Sequence, residues 1–505
     1  MCLLDLPVEL LAEALAYLDH LELLRIRRTN RTLRDAVDHT ASLSYKLDLS
    51  KHGMQDGTRA DLGSADRLER LRSYRKAWHA LEWSANKKIP DGGVFAIAGD
   101  IVACTRRADT DKITFIRPGS NIRGVNEHQW TIPAPPGLRD FIIEPTMDLI
   151  VVLVHRVDTL FELHLLSMST GQNHPRAACP VLSVPLAFVP ADFKPMVMED
   201  RLGILFTSDG LIQSLFTVWD WHTGEKFKSP FRKRHVPCVA FLDRNLVVMP
   251  FTYNDNNTFS STALLVADIS VPTKSRRICR LLLPRSAVST IAFADFIWDQ
   301  PLSRRMKDAS PGWFAPAPRD RILGLSVAAF DAVNLNNMHH TSAMFIMSVP
   351  RVVDCIRQRT IPPNVSRCTI EWDAWGPHST RIFAHDCPSL WLSFIHGTRY
   401  AVLDDGDAKA GYTVYDFGKT AVGDEDDPAG EGAVITEPSI YDAREAFSAP
   451  VKTCLPYRAV QRRLEPEVAD WIGSPDSTGS AAVMLIDDGV VFSPEAGGEY
   501  WAWTL

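Results

Sequence analysis

The residues best suited to chemistry form one loose group late in the chain: His378, His385, Cys387 and His396. Imidazole and thiolate groups bind zinc, and zinc sites usually set their ligands in closely spaced pairs. The steps between these four residues match no standard zinc pattern, and no Cys-x-x-Cys pair occurs anywhere in the chain. We therefore interpret them as core or loop residues and expect no metal site.

A second segment, Gly418-Lys419-Thr420, contains the residue types that end a phosphate-binding loop. The first glycine of such a loop is not at the required spacing, and the segment follows a predicted strand as a turn would. Neither Gly-x-Ser-x-Gly nor His-Glu-x-x-His occurs in the sequence. We therefore expect no catalytic residues and no cofactor. An enzyme with an accessory helical tail is the alternative that we rank last.

Composition narrows the class of protein further. The 505 residues include 54 Lys and Arg against 61 Asp and Glu, a net charge of −7, which argues against a nucleic-acid surface spread over the molecule. The nine cysteines are scattered, as in proteins of a reducing compartment. The best apolar run, residues 149–154, is too short to span a bilayer, and no signal peptide is recognisable. We expect a location in the cytoplasm, the nucleus or both, without nucleic-acid or membrane binding.

Helical periodicity governs the elements at the N-terminus. Pro7 and Glu9 suit the first turn of a helix, and Asp19 with Glu22 predicts a capping box that begins a second helix. A third helix is predicted from about Asn30. The apolar positions of the three helices are Leu10, Leu11, Ala14, Leu15, Leu18, Leu23, Leu24, Ile26, Leu33, Ala36 and Val37. Three short helices bury only a small core, so we expect much of this leucine surface to need a partner.

A connecting segment follows this helical module. Residues 51–63 are polar and contain three glycines, which is typical of a linker. From Ser64 a further helix is predicted, with Leu68, Leu71, Tyr74, Trp78 and Leu81 along one stripe. We expect an α+β multidomain chain with boundaries at residues 1–50, 51–89 and 90–505. The first part is the helical module, the second the linker and connecting helix, and the third a large all-β domain.

Strand patterns replace the helical stripe after Pro90. Similar units of two strands begin at Leu149, Leu202 and Leu246, with a partial fourth unit at residues 399–417. A period near 50 residues is typical of the four-stranded blades of a β-propeller, and we read each leading strand as the inner one. Seven or eight blades would fit, and a β-sandwich is the alternative. The segment 499–503 is predicted to close the ring in the blade that also contains the strands near Val94.

The second unit resembles the closing strand of a WD repeat. Its sequence is Phe216-Thr217-Val218-Trp219-Asp220-Trp221-His222-Thr223-Gly224. In that family the tryptophan fills the space between blades and the aspartate holds a turn. The resemblance implies structural roles of this kind for Trp219, Asp220 and Trp221 in a divergent, WD-repeat-like β-propeller.

The N-terminal helices resemble the F-box. Leu6-Pro7-Val8-Glu9 matches the opening of the motif, Glu22-Leu23 its acidic-leucine pair, and Asn30-Arg31-x-Leu33 its close, whereas Thr29 stands where a valine is usual. The resemblance implies docking on the Skp-type adaptor of a cullin–RING ubiquitin ligase. The adaptor-binding residues expected from it are Leu6, Pro7, Glu9, Leu10, Leu11, Leu15, Leu18, Leu23, Leu24, Ile26 and Leu33.

Further blocks resemble a large group of fungal F-box proteins, among them Tyr74-Arg75-Lys76-Ala77-Trp78 and His396-Gly397-Thr398-Arg399-Tyr400. The resemblance implies a substrate-receptor adaptor of an SCF-type ubiquitin ligase, whose β domain binds an unknown protein target for ubiquitin-dependent degradation. A protein-interaction scaffold that uses the same F-box outside a ligase is the alternative.

Overall fold

The structure is a computed structural model of the chain. It describes residue 4 and residues 6–505 apart from 91, 107–108, 158, 210–212, 232–235, 256–258, 286, 288–289, 299–311, 318–319, 332–340, 360–367, 385–393, 405–410, 419–431, 445, 473–481 and 494–498. Among the described residues, no helix is long and apolar enough to cross a membrane.

Four short helices open the chain: α1 (Val8–Ala16), α2 (His20–Arg27), α3 (Arg31–His39) and α4 (Ala41–Lys51). The first three confirm the predicted helices. The capping box is also present, because the amide of Glu22 donates to Asp19 and the amide of Asp19 donates to Glu22, both at 2.8 Å. The sequence analysis did not predict α4, which packs against α2 and α3 and completes the module.

The connecting segment is more ordered than a polar linker. It contains a short strand, β1 (Met54–Asp56), then helix α5 (Ser64–Ala80) and strand β2 (Ala85–Ile89). The predicted stripe of α5 is buried, from Leu68 to Trp78. The helix ends at Leu81, whose φ of 50° lies in the left-handed region and turns the chain toward β2.

Seven blades of antiparallel strands follow. Blade 1 contains β3 (Gly92–Ala98), β4 (Ile101–Arg106), β5 (Asp109–Arg117) and β6 (His128–Pro133). Blade 2 contains β7 (Leu138–Glu144), β8 (Leu149–Val157), β9 (Leu160–Ser167) and β10 (Val181–Pro185). Blade 3 contains β11 (Asp192–Met198), β12 (Arg201–Thr207), β13 (Ser214–Asp220) and β14 (Lys226–Phe227). Blade 4 contains β15 (Ala240–Phe241), β16 (Leu246–Asp255), β17 (Phe259–Val271) and β18 (Lys274–Leu282).

The remaining blades carry insertions. Blade 5 begins with β19 (Thr290–Trp298); β20 (Phe314–Pro316) lies in its first connection, and β21 (Ile322–Asp331), β22 (Thr341–Ser348), α6 (Val349–Gln358), β23 (Cys368–Ile370), α7 (Trp372–Ser379) and β24 (Thr380–Phe383) follow. Blade 6 begins with β25 (Ile395–His396), β26 (Arg399–Leu403) and β27 (Tyr412–Asp416). Then come β28 (Ala433–Ile435), β29 (Ser439–Tyr441), β30 (Val451–Thr453), β31 (Tyr457–Arg462) and α8 (Pro466–Ile472). Blade 7 contains β32 (Ala482–Ile486), β33 (Gly489–Ser493), β34 (Tyr500–Thr504) and β2.

The leading strands of the sequence units are the second strands of their blades, not the inner ones. Leu149, Leu202 and Leu246 begin β8, β12 and β16, and each blade starts one strand earlier. Strands such as β8 and β12 are buried on both sides, so they form the longest apolar runs. The first strand of blade 4 has only two residues and leaves little pattern to detect.

The ring is closed by pairing between the two ends of the β domain. Strand β34 pairs antiparallel with β2, so that Trp501 lies opposite Lys88. The expectation that the C-terminal strand shares a blade with Val94 is wrong, because Val94 belongs to β3 in the next blade. Residues 85–89, assigned above to the connecting segment, form the outermost strand of blade 7.

Helix α5 lies on one face of the ring, here called the helix-bearing face, which carries the turns between the first and second strands of the blades. The hydroxyl of Tyr74 donates to the carbonyl of Asp487 in the turn between β32 and β33, at 2.6 Å. Arg70 donates to the carbonyl of Asn121 at 2.9 Å. Arg399, at the start of β26, lies over the ring of Trp78 at 3.9 Å from its centre.

Candidate functional site

The helical module has a small core of its own. Leu11, Leu15, Leu23 and Leu33 are buried together with residues of α3 and α4: Ala36, Val37 and Leu43. All these residues lie in α1–α4, so the propeller contributes nothing to this core. Burying side chains of this size stabilises the module by about 1.5–3 kcal/mol each. The module is therefore folded by its own leucines rather than by contact with the β domain.

The predicted adaptor-binding residues fall into three environments. Leu11, Leu15, Leu23 and Leu33 are core residues. Leu6, Leu18 and Ile26 are half-buried, and Pro7, Glu9, Leu10 and Leu24 are exposed. Direct contact with a partner is thus open to the exposed and half-buried residues only. The prediction placed the four core leucines at the surface because it did not include α4, whose Leu43 packs against them.

Five large apolar side chains on or beside the first two helices face solvent. Leu10 is 51% exposed, Tyr17 86% and Leu24 38%. We call Val8, Leu10, Tyr17, Leu21 and Leu24 the exposed apolar set. Leu10 and Tyr17 are seven positions apart in the sequence and share one side of the chain's helical path. Large apolar side chains gathered on one small module are typical of an interaction surface.

A tryptophan of blade 5 fixes the module to the ring. Strand β1 pairs with β20, and the carbonyl of Trp313 accepts from the Gly57 amide at 2.8 Å and the Tyr45 hydroxyl at 3.2 Å. The indole of Trp313 donates to Asp61 at 2.7 Å. The guanidinium groups of Arg59 and Arg70 lie 4.7 and 4.5 Å from its ring centre. No local pattern in the sequence marks this long-range contact.

The WD-like segment of blade 3 has the geometry that its resemblance implies. Trp219 and Trp221 are buried in the apolar layer shared by blades 2 and 3. Asp220 accepts from the backbone amides of His222 at 3.0 Å and Thr223 at 3.2 Å. Asp220 also pairs with Arg201, which lies directly opposite it on β12. The aspartate thereby holds the turn that follows β13.

Two other blades repeat this aspartate. Asp268 ends the equivalent stretch of β17 and accepts from the amide of Ser270 at 2.8 Å. Asp416 ends β27 and accepts from the amide of Gly418, also at 2.8 Å. Asp416 has its own arginine opposite, Arg399. The signal was available in the sequence as Val-x-Asp followed by a large apolar residue, at Val218, Val266 and Val414.

Within the part of the chain that the structure describes, one group of side chains has donor atoms close enough for a cation: Asp200, Asp220 and His222. Both carboxylates already pair with arginines, Asp200 with Arg244 and Asp220 with Arg201. Burial, followed by the charge of Arg176, lowers the pKa of His222. The positive charges present neutralise the acids, so the group fits a structural ion network and not a metal centre.

The densest set of buried charges lies beneath α5. Arg123 is fully buried and donates to Asp487 at 3.2 Å and Asp488 at 3.0 Å. His396 bonds to the other oxygen of Asp487 at 2.8 Å, so it is a core residue. Burial, against the attraction of Arg123, raises the pKa of Asp488 to about 6. Of the other residues considered for zinc or phosphate binding, His385, Cys387, Lys419 and Thr420 lie outside the described residues.

The chain matches one family model, the F-box domain, over residues 3–44. No curated protein matches it. It is similar to the WD40 domain of SCAP from fission yeast, at 8% identity over 80% of this chain and 82% of that chain, with a TM-score of 0.30. It is also similar to Hsv2 from Kluyveromyces lactis, at 9% identity over 66% of this chain and 93% of that chain, with a TM-score of 0.24.

The ring architecture rests on the strand pairing of this chain, in which seven sheets follow one another and the last contains β2. The F-box match covers α1–α3 and the start of α4. Resemblance to the fungal group stays an expectation. The chain carries an F-box domain at residues 3–44, joined through a connecting helix to a seven-bladed β-propeller.

Proposed function

We propose that this protein is a substrate receptor of an SCF-type ubiquitin ligase. The F-box docks on a Skp-type adaptor, the adaptor links it to a cullin–RING scaffold, and the propeller holds a target protein. The observation that carries the proposal is the exposed apolar set on α1 and α2, within a domain that matches the F-box. F-box domains in general bind Skp-type adaptors. In this role the chain supplies proximity, because it brings a target to the site of ubiquitin transfer.

The position of α5 supports different roles for the two faces of the ring, one for attachment of the F-box and the other for target binding. The helix and the F-box linker lie on the helix-bearing face. The opposite face carries the connections between second and third strands, and a propeller commonly recognises its partners through loops of this kind. We propose that target proteins approach that opposite face.

An adaptor without catalytic activity fits the buried charges better than an enzyme does. The set around Arg123 is sealed by α5 and its Tyr74, so a substrate has no path to it. All the described cysteines are free thiols, which suits the reducing cytoplasm or nucleus where we propose that the protein acts.

The test is co-expression with a Skp-type adaptor, followed by affinity purification. The variant Leu10→Ser with Leu24→Ser changes exposed residues and leaves the module's core intact. We expect it to lose most of the adaptor that the wild type retains. The matched control is Val157→Ser with Val189→Ser, two exposed valines of the propeller, which should retain the adaptor fully. Equal recovery by wild type and the F-box variant would contradict the proposal.

The scaffold alternative uses the same F-box and differs in the next partner. Purification of this protein from cells, followed by detection of the adaptor and the cullin with antibodies, separates the two. Recovery of the adaptor without the cullin would favour the non-ligase scaffold.

A further inference from the structure

The outer edge of blade 3 is covered by a short strand only. Its outermost strand, β14, has two residues, whereas the fourth strand of every other blade has four to nine. In blades 4 and 6 a further three-residue strand, β23 or β28, pairs outside that fourth strand. Strand β14 pairs with Val218 and Trp219 alone. The first four residues of β13, Ser214–Thr217, therefore have a neighbouring strand on one side only, among the residues that the structure describes.

An uncovered strand edge presents amide and carbonyl groups that still need partners. Four residues of β13 amount to about 13 Å of such edge. On the inner side these residues pair with β12, from Ile204 to Thr207. At the outer end the described contact is a single bond, from the amide of Val236 to the hydroxyl of Ser214 at 2.8 Å. The hydroxyl of Thr217 is buried and has no hydrogen-bond partner among the described residues.

A groove of about 710 Å³ runs beside this edge. Its apolar lining consists, among the described residues, of Leu215, Phe216, Phe227, Phe231, Val236 and Pro272. The rings of Phe216 and Phe231 lie 5.9 Å apart, so the floor is a packed aromatic surface and not a gap in the core. A strand that paired with β13 would place every second side chain toward this floor.

The charge of the groove selects one kind of occupant. Lys226 and Lys228 line it and are both exposed, and no acidic residue is among the described residues of the lining. Neither lysine forms an ion pair with a described residue. Lys226 lies 5.3 Å from the ring centre of Trp219, which holds its stem along the strand. An occupant with carboxylate side chains would pair with both lysines while its backbone pairs with β13.

We infer that blade 3 binds an extended acidic segment of a target protein, which adds to β13 as a supplementary strand along Ser214–Thr217. This mode combines backbone hydrogen bonds with alternate side-chain pockets. The inference rests on the proposed receptor function, for which it names a class of target segment and a second binding site, at the side of the ring, in addition to the opposite face.

The probe is a display library of random peptides about ten residues long, enough to cover the open edge with flanks. The library is selected against the full chain in complex with the Skp-type adaptor. We expect enrichment of peptides that alternate apolar with acidic residues. The variant Lys226→Glu with Lys228→Glu should weaken binding of the enriched peptides by about tenfold or more. The matched control, Arg444→Glu with Lys452→Glu, reverses two exposed charges on blade 6 and should leave binding unchanged.

Synthetic copies of an enriched peptide, N-methylated at successive amides, test strand pairing itself. In a paired strand alternate amides face the partner, so methylation should abolish binding at every second position and spare the others. No enrichment, uniform tolerance of methylation, or retention of binding by the lysine variant would each overturn the inference. Binding of anionic vesicles in place of peptides would also overturn it. Adaptor recovery from the same preparation reports on the F-box, so loss of adaptor would count against the proposed function and not against the groove.

Discussion

Leu10 and Leu15 belong to the same helix but have opposite environments. Leu15 is 2% exposed and packs with α3 and α4, whereas Leu10 faces solvent. The two residues therefore separate the stability of the F-box from its capacity to bind. The sequence pattern ranked them together, because a leucine at helical spacing looks the same whether its face meets a fourth helix or a partner protein.

We expect Leu15→Ala to destabilise the F-box by about 2–5 kcal/mol, because it leaves a cavity in a core with few other residues. Leu10→Ala should change stability by no more than about 0.5 kcal/mol, as exposed substitutions usually do. Native-state hydrogen exchange of the α1–α4 amides measures both effects within the full chain. Equal loss of protection in the two variants would contradict the assignment of Leu10 to the surface.

His79, near the end of α5, carries a prediction about pH. Burial, followed by the charges of Arg458 and Arg75, lowers its pKa from 6.5 to about 4. Between pH 6.5 and pH 4 the imidazole of His79 is protonated in the unfolded chain and neutral in the folded chain. The free energy of unfolding therefore falls as the pH drops from 6.5 toward 4. We expect the free energy of unfolding of the wild type to fall more steeply with acid than that of the His79→Gln variant, by up to about 1.4 kcal/mol per pH unit.

Thermal melts at pH 7 and pH 5 measure this difference. The control is His128→Gln, an exposed histidine of blade 1, which should follow the wild type at both values. Parallel behaviour of wild type and His79→Gln would show that α5 is not sensitive to acid at this residue.

At the scale of elements, Trp313 holds the F-box and the ring together. It contacts α4 through Tyr45, the linker through Gly57 and Asp61, and α5 through Arg70. We expect Trp313→Ala to loosen β1 and the start of α5 without changing adaptor binding, because the exposed apolar set lies on or beside α1 and α2, whereas Trp313 contacts α4, the linker and α5. Hydrogen exchange of residues 54–70 measures the loosening.

A matched control for Trp313 is Trp372→Ala, which removes a partly buried tryptophan of α7 from the core between blades 4 and 5. The Trp372→Ala variant should leave the hydrogen exchange of residues 54–70 unchanged. If the linker exchanges at wild-type rates in Trp313→Ala, other contacts carry the attachment.

Elements specified by neighbouring residues were predictable from the sequence, and those specified by distant ones were not. The capping box of Asp19 and Glu22 and the turn held by Asp220 need only a few adjacent residues. Strand β1 and its pairing with β20 depend on residues more than 250 positions away, as does the hydrogen bond from Trp313 to Asp61. The groove at the edge of blade 3 could not be predicted from the sequence either, because it depends on the short length of β14 in the folded sheet.

At the scale of the molecule, the ring depends on β2, which the sequence analysis had assigned to the connecting segment. We expect a chain that begins at Glu82 to retain a cooperatively melting propeller. A chain that begins at Pro90 lacks residues 82–84 and β2 by comparison, and it should melt earlier because β34 loses its outer partner. Calorimetry of the two chains measures the difference, and coincident melting curves would contradict a role for β2 in closure.

That closure has a consequence for biogenesis. Strand β2 leaves the ribosome long before its partner β34 is made. The F-box, with a core of its own, is complete well before the two strands pair. In the function proposed above, a nascent chain would recruit the adaptor while its propeller is still an open arc, and chaperones that shield unpaired strand edges would act during that interval.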